Sequence, residues 1–416
     1  SMVSAKHDFT DLVLLVGTNP LPNYVVARYF HISNNALQRI WLLYSEKTNV
    51  REGTYQYASD IKTVLERNCN NTSIAYELHV LSDISFAQKI KEDVKNKFSG
   101  KDIKKIHLNY TGGTKAMSVH VYQALAELFE GRFSASYLDA RDYNLKFDQN
   151  IINSGDLRSL INLSMEDLFN LHHCIQDNVK TDYLKSLNDN GRAEQMMQSI
   201  AKLAQQKKTL ELKNWFDTAN NNKLFNEKKP PSDIAKTLAN FKENKELLAY
   251  LSTFPASDRL WNEQKNDWEY DNFSKNNHSD QLKNYLEGGW LEDYVAWVLK
   301  TGYKEKLDVI SQVNLKPQSN NDRGFELDVL AKYGYQICCI SCGTAMKKEK
   351  LSNTLKNKGF EVILRSREIG GEEARSVLVT LLDANIAKKL EDDLRACTGA
   401  GKDRFIVLGR DDLAVD

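Results

Sequence analysis

The stretch from Ile106 to Met117, IHLNYTGGTKAM, constrains the fold most. Its first five residues alternate apolar and polar as a strand does, Thr111–Thr114 is a glycine turn, and Lys115 opens an amphipathic helix. Such a turn directs unpaired N–H groups and the positive end of a helix dipole at one point. Two glycines permit close approach, and Lys115 adds charge. The stretch therefore predicts an anion site, for phosphate in particular. It also fits a plain turn in which threonine only caps the helix.

Strands and helices alternate through residues 1–152. A continuous apolar run, Asp11–Val16, reads as a strand covered on both faces, and the loop Gly17–Asn23 follows it. The pattern predicts an α/β domain with a mostly parallel sheet, whose ligands lie beyond the carboxyl ends of the strands. We expect the 17–23 loop and the 111–114 turn to share one crevice. The other predicted elements are strands 40–45, 76–81, 106–110, 134–138 and 143–149 and helices 24–31, 59–68, 85–98 and 115–129.

Composition excludes several function classes. Lys+Arg and Asp+Glu are equal at 56 each, so no overall field draws the chain to nucleic acid or to a membrane surface. The six cysteines are scattered, which indicates a reducing compartment, and no apolar run or signal peptide points to a membrane. We therefore expect a cytoplasmic protein without a membrane partner. The single CxxC, Cys339–Cys342, ends an apolar strand and is interpreted as core packing.

Residues 153–283 predict a helical connector. They are rich in Leu, Lys, Asn and Gln and contain few strand signals. The predicted helices are Asp156–Leu171, Glu194–Thr218 and Ser232–Leu251. A DNA-binding role is an alternative for this region, although its lysine pairs fit solvated helix faces equally well.

Residues 284–416 predict a second α/β domain. A helix begins near Gly288, and two strands, Phe325–Ala331 and Tyr335–Ser341, form a hairpin through Gly334. A helix Ala345–Lys358 is expected to end at Gly359, followed by a strand. The remaining predictions are that strand at 360–364, a mixed segment at 375–382, a helix at 384–396 and a final strand at 404–408.

The N-terminal domain resembles the CRISPR-associated Rossmann fold, or CARF, family. The resemblance rests on Gly-Thr-Asn-Pro after the first strand and Asn-x-Thr-Gly-Gly-Thr-Lys-x-Met after the fourth. It implies a homodimer that binds cyclic oligoadenylate, usually cyclic tetra-adenylate, where two copies of the loops meet; a twofold dimer suits a twofold ring. The ligand-loop residues that it implies are Gly17, Thr18, Asn19, Thr111, Gly112, Gly113, Thr114 and Lys115.

The C-terminal domain resembles the PD-(D/E)xK nuclease core, with Glu292 on the helix and Asp328 in the hairpin. Glu326 lies two residues before Asp328, on the same face of a strand, and is a third candidate carboxylate. The resemblance implies Mg²⁺ or Mn²⁺ held by Glu292, Asp328 and the backbone carbonyl of Cys342, with metal-generated hydroxide cleaving a phosphodiester. The whole chain resembles the CARF-fused, ring-activated nucleases of type III CRISPR defence.

The sequence departs from the nuclease pattern where Glu-x-Lys is expected. It reads Ser341-Cys342-Gly343 instead, and serine is a poor metal ligand while glycine supplies no base. In one hypothesis the carboxylates still hold metal, Ser341 remains in the site, and Lys347 or Lys348 reaches in from the next helix. DNA, RNA or both would then be the substrate. In the alternative the domain has lost cleavage, and the chain is a ring-binding sensor or a nucleic-acid-binding regulator.

Overall fold

The structure is a computed structural model. It describes residues 7–70, 73–151, 154–177, 181–274, 280–319, 323–346 and 351–415. In the part of the chain described, no helix is both long enough and apolar enough to cross a membrane.

The N-terminal domain is built on a six-stranded sheet in the order β3-β2-β1-β4-β5-β6. All neighbouring strands are parallel except β5 and β6, which pair antiparallel. The strands are β1 Asp11–Val16, β2 Arg39–Ser45, β3 Ala75–Leu81, β4 Ile106–Asn109, β5 Phe133–Asp139 and β6 Asn144–Phe147. The helices are α1 Leu21–Ser33, α2 Tyr55–Asn68, α3 Ala87–Phe98 and α4 Lys115–Leu128.

Strand β1 shows why the apolar run folds this way. All six of its residues are buried. Its side chains alternate between two cores: Leu14 packs on one side of the sheet with α1 and α2, and Leu15 packs on the other with α3 and α4. A strand covered on both faces needs no polar alternation, so the predicted parallel α/β sheet and its terminal hairpin are confirmed.

The connector is helical, but its helices are shorter than predicted. The predicted helix Glu194–Thr218 is two helices that meet at residues 206–208, where Lys207 has a φ of 56°. Short 3₁₀ turns likewise interrupt the other two predicted helices. The helices are α5 Met165–Leu171, α6 Tyr183–Ser186, α7 Asn190–Gln205, α8 Thr209–Asn221, α9 Pro231–Thr237 and α10 Lys245–Ser252.

Three short strands in this region were not predicted. Strands β8 Trp261–Asn262 and β9 Asp267–Trp268 form a small hairpin of their own. Strand β7, Cys174–Gln176, instead pairs antiparallel with a strand of the C-terminal sheet. A three-residue strand of this kind has too short a periodic pattern to be recognised in the sequence.

The C-terminal sheet is mixed, in the order β14-β13-β12-β11-β10-β7. Strands β10, β11 and β12 are antiparallel to one another, whereas β12, β13 and β14 are parallel. Strand β10 was assigned to a loop in the prediction. The strands are β10 Asp308–Pro317, β11 Phe325–Tyr333, β12 Gln336–Gly343, β13 Arg375–Thr380 and β14 Phe405–Leu408. The helices are α11 Asp280–Asn284, α12 Trp290–Gly302, α13 Lys356–Gly370 and α14 Ala384–Thr398.

The predicted helix end at Gly359 and the predicted strand Phe360–Leu364 are wrong, because α13 runs through both. The buried residues of α13 recur with a helical period. Gly359 is required for packing: a Cβ atom there would lie 2.5 Å from Leu394 Cδ1 of α14. The glycine was read as a stop, whereas it lets two helices approach each other.

Candidate functional site

The two N-terminal loops meet in one crevice, as predicted. Strands β1 and β4 are neighbours in the sheet, so the loops that leave their carboxyl ends lie side by side. A Cβ atom on Gly17 would lie 3.0 Å from the backbone nitrogen of Gly113, and Gly113 has a φ of 78°. Both glycines are therefore required by the close approach and by the turn.

Gly112 lies against the end of β1. A Cβ atom at this position would lie 2.3 Å from the carbonyl oxygen of Leu15. The same carbonyl accepts a hydrogen bond of 3.0 Å from Nδ2 of Asn23, a side chain with no exposed surface. Asn23 thus fixes the start of α1 against β1, next to the glycine turn.

The two threonine hydroxyls of the turn serve the fold. Thr111 Oγ1 donates to Asn109 Oδ1 over 2.7 Å and accepts from the backbone N–H of Leu138, also over 2.7 Å. Thr114 Oγ1 caps α4 by accepting from the N–H of Met117. The anion-binding capacity of the turn therefore lies in the backbone N–H groups at the start of α4 and in the exposed Lys115.

Residues 18 and 19 of the first loop face the C-terminal domain. Thr18 lines a cavity of about 500 Å³ whose charged lining residues are Arg323, Arg365, Arg367 and Glu368. Asn19 Nδ2 donates to Oε2 of Glu373 over 3.3 Å. The first loop therefore contacts the C-terminal domain through both residues.

The C-terminal carboxylates also come together. Burial, and then the negative charge of Asp328, raise the pKa of Glu292 to about 8, while Lys358 and a hydrogen bond with Gln312 oppose the shift. The carboxyl groups of Glu292, from α12, and Asp328, from β11, therefore lie close together in a partly buried site, as the resemblance implied. An arrangement of this kind is stabilised by a bound cation.

Asp328 is held by the strand that departs from the nuclease pattern. Its Oδ2 accepts the backbone N–H of Cys342 over 2.8 Å and the hydroxyl of Ser341 over 3.3 Å. Lys358 Nζ lies 3.8 Å from the same oxygen. Ser341 therefore positions the carboxylate, and the predicted role of the Cys342 carbonyl as a metal ligand stays a prediction.

Gly343 makes room for that lysine. A Cβ atom on Gly343 would lie 2.5 Å from Leu355 and 3.3 Å from Cδ of Lys358. The lysine that the nuclease pattern expects at position 343 is thus replaced in space by Lys358, which comes from α13. Lys347 and Lys348, the lysines named from the sequence, lie outside the described residues.

Glu292 separates two cavities. One, of about 510 Å³, is lined by Cys342 and Lys358 and by α8 of the connector. The other, of about 520 Å³, is lined by Glu326 and Gln312. Glu326 thus opens onto the far side of Glu292, although its charge also raises the pKa of that residue. Among the described residues, no group of three His, Cys, Asp or Glu side chains is placed to hold a metal.

We expect Glu292→Gln to stabilise the metal-free protein at alkaline pH. Because the folded-state pKa of about 8 lies above the usual 4.5, the free energy of unfolding contributed by this carboxyl falls as pH rises from about 4.5 to about 8. Glutamine mimics the neutral form and removes this loss. Thermal melts at pH 5 and pH 8.5 should show a gain of a few degrees at pH 8.5 alone.

The exposed Glu305, just beyond α12, supplies the control. Glu305→Gln should melt like the wild type at both values of pH. Equal melting temperatures of Glu292→Gln and wild type at pH 8.5 would contradict the assignment of a raised pKa to Glu292.

Sequence reasoning placed Lys358 at the end of a helix but did not connect it with Asp328, and it missed the arginines of α13. Arg365 and Arg367 belong to a continuous helix over 356–370, which the expected stop at Gly359 cut short. The signal was present, because Leu355, Val362 and Ile369 repeat every seven residues and are buried.

Comparison with known proteins supports the N-terminal assignment. Residues 12–167 match the family model described as the Card1 CARF domain. VC1899 from Vibrio cholerae is 14% identical, with a TM-score of 0.64 over 97% of this chain and 94% of that one. Can2 from Sulfobacillus thermosulfidooxidans, whose structure is a complex with cyclic tetra-adenylate, is 17% identical, with a TM-score of 0.59 over 98% and 96%.

No curated protein matches the sequence. At these identities the two solved structures show the fold alone, and that fold extends over nearly the whole of each chain. The family match and the Rossmann-like sheet agree on the same residues. The N-terminal part of this α/β chain, residues 12–167, is therefore a CARF domain of the Card1 type, followed by helices and a C-terminal mixed sheet.

Proposed function

We propose that the chain is a homodimeric effector of type III CRISPR defence, in which cyclic tetra-adenylate activates metal-dependent cleavage of DNA or RNA. The enzymatic half of the proposal rests on the surroundings of Asp328. Its carboxylate accepts a hydrogen bond from β12, and Lys358 lies beside it, next to Gly343, which has no side chain. The CARF domain carries the sensing half.

The N-terminal crevice suits a phosphate-bearing ring. Backbone N–H groups at the start of α4 and the exposed Lys115 favour negative charge. The cavity beside Thr18 adds Arg323 and Arg367, next to Arg365, which is paired with Glu368. The fold is shared with Can2, and Can2 itself is described with cyclic tetra-adenylate bound. Two copies of the crevice around a twofold axis would give a symmetric ring equal half-sites.

The C-terminal residues fit a divalent cation. Mg²⁺ keeps several waters and needs only one or two carboxylates besides the substrate phosphate, which supports Glu292 and Asp328 as its ligands in this proposal. Burial, and then the negative charge of Asp328, raise the pKa of Glu292, and a cation would offset that charge. When bound, Mg²⁺ or Mn²⁺ supplies hydroxide at neutral pH and stabilises charge on the phosphate.

The chain's own residues orient this site. The N–H of Cys342 and the hydroxyl of Ser341 fix the Asp328 carboxylate. The Lys358 ammonium lies on the same side and can contact a phosphate oxygen or the attacking water. Connector helix α8 closes the cavity opposite these groups, with Lys213 and Asn220 in its wall.

A catalytically silent sensor is the second candidate. The replacement of Glu-x-Lys by Ser341-Cys342-Gly343 favours it, because one expected carboxylate ligand is missing. Such a protein would bind the ring and regulate through nucleic-acid binding.

One experiment separates the two. Supercoiled plasmid and single-stranded RNA are incubated with the protein and Mn²⁺, with and without cyclic tetra-adenylate, while calorimetry measures ring binding. We expect ring binding and ring-dependent product. Tight ring binding without product in Mg²⁺ or Mn²⁺ would select the sensor, and absence of ring binding would reject both candidates.

A further inference from the structure

The loop residue Asn19 joins the two domains directly. Its Nδ2 donates to Oε2 of Glu373, which has only 5% of its surface exposed. Gly371, two residues earlier, has a φ of 70°, and a Cβ atom there would lie 2.2 Å from Asn19 Oδ1. Asn19 therefore rests on a bare turn that follows the end of α13.

Glu373 is fixed in its own domain. Its carbonyl oxygen accepts from Arg404 over 2.7 Å and from Gln336 over 2.9 Å. The 371–373 turn is thus hydrogen-bonded to the ends of β12 and β14. Loss of the hydrogen bond at the Glu373 carboxylate would therefore affect these strands as well as the turn. Burial raises the pKa of Glu373, while the hydrogen bond from Asn19 favours the ionised form.

Helix α13 connects this turn with the catalytic pair. Its last residue, Gly370, precedes the turn, and Lys358 near its first residue lies 3.8 Å from Asp328. The twelve residue steps from Lys358 to Gly370 span roughly 18 Å at 1.5 Å per residue. Helix α13 therefore connects the turn that contacts Asn19 with the lysine of the proposed active site.

We propose that the Asn19–Glu373 contact is the link through which ligand at the 17–19 loop acts on Lys358. The inference rests on the proposed function and names the regulation of that site. A phosphate that takes the Asn19 amide removes a donor from a buried carboxylate, so the 371–373 turn and the helix before it rearrange. Allosteric couplings typically change the affinity of a second site about 5- to 150-fold.

Glu373 tests the link, because it lies in the C-terminal domain and has no place in the proposed ring or metal machinery. Nuclease activity is measured with Mn²⁺, with and without saturating cyclic tetra-adenylate, and the ratio is the activation. We expect Glu373→Ala to lower activation about tenfold and Glu373→Gln, which keeps an acceptor for Asn19, to retain most of it.

Asn162→Ala is the matched control. It removes another hydrogen bond to the C-terminal sheet, 2.9 Å from Lys332 Nζ to Asn162 Oδ1, that involves neither the 17–19 loop nor the 371–373 turn. It should leave activation unchanged. Wild-type activation in Glu373→Ala, or an equal loss in Asn162→Ala, would overturn the link.

Hydrogen exchange of the wild-type protein gives a second readout that needs no variant to fold. Adding the ring should change exchange of the backbone amides at 370–374 and along α13. Unchanged exchange there, with the ring bound, would also overturn the link. Absence of ring binding by calorimetry would instead identify a failure of the proposed function and remove the inference with it.

Discussion

Asp328→Asn is expected to reduce metal-dependent cleavage about a thousandfold while cyclic tetra-adenylate still binds. The substitution keeps the shape of the side chain but removes the negative charge that Lys358 faces and that a cation requires. Electrostatic support from a metal is worth several kcal/mol, and about 4 kcal/mol corresponds to a factor of a thousand. Plasmid nicking with Mn²⁺ and calorimetry with the ring measure the two properties separately.

An exposed acidic residue of α14 gives the control for this prediction. Asp392 is 60% exposed and pairs with Lys388, so Asp392→Asn changes net charge equally without a contact to Asp328 or Lys358. It should cleave like the wild type. Residual cleavage in Asp328→Asn near the wild-type rate would place the reaction elsewhere in the molecule.

Gly112→Ala is expected to weaken ring binding at least tenfold and to lower the stability of the N-terminal domain. The added Cβ atom would meet the Leu15 carbonyl at 2.3 Å and the Asn23 amide at 3.1 Å, so the turn must move away from β1. Overpacking of this kind costs about 1–3 kcal/mol. Calorimetry should show ring binding weakened at least tenfold, and the melting temperature should fall by several degrees.

Gly302 provides a glycine without such neighbours. A Cβ atom at the end of α12 meets nothing within 4 Å, so Gly302→Ala should bind the ring and melt as the wild type does. If Gly112→Ala bound the ring with wild-type affinity, the turn would not be the ligand site, whatever its effect on stability.

The sequence contained enough to predict the crevice. A strand, a glycine loop and a helix occur twice, and parallel neighbours place both loops at the same edge. The pairing of Glu292 with Asp328 also followed from the sequence, through the helix and hairpin positions of a known nuclease core. These features depend on local pattern, which a single sequence records.

The features that were missed depend on contacts between distant residues. The sequence did not show that the Thr111 hydroxyl accepts the N–H of Leu138, 27 residues away. The predicted contact of Thr111 with ligand stays a prediction. Nor did the sequence show that Lys358 lies beside Asp328, next to the space that Gly343 leaves by lacking a side chain. The sequence pattern does not distinguish a glycine that ends a helix from a glycine that allows another element to pack closely. The two cases differ only in which residues pack against the glycine.

Strand β7 has a practical consequence for dissecting the molecule. This three-residue strand, from the middle of the chain, covers β10 at the border of the C-terminal sheet. A fragment that begins at residue 284 would lack β7 and would expose unpaired backbone groups of β10, which promotes aggregation. Recombinant fragments of the C-terminal half should therefore begin before Cys174. Such fragments keep the helices between β7 and the C-terminal domain, which cannot be removed without also removing β7 or breaking the chain.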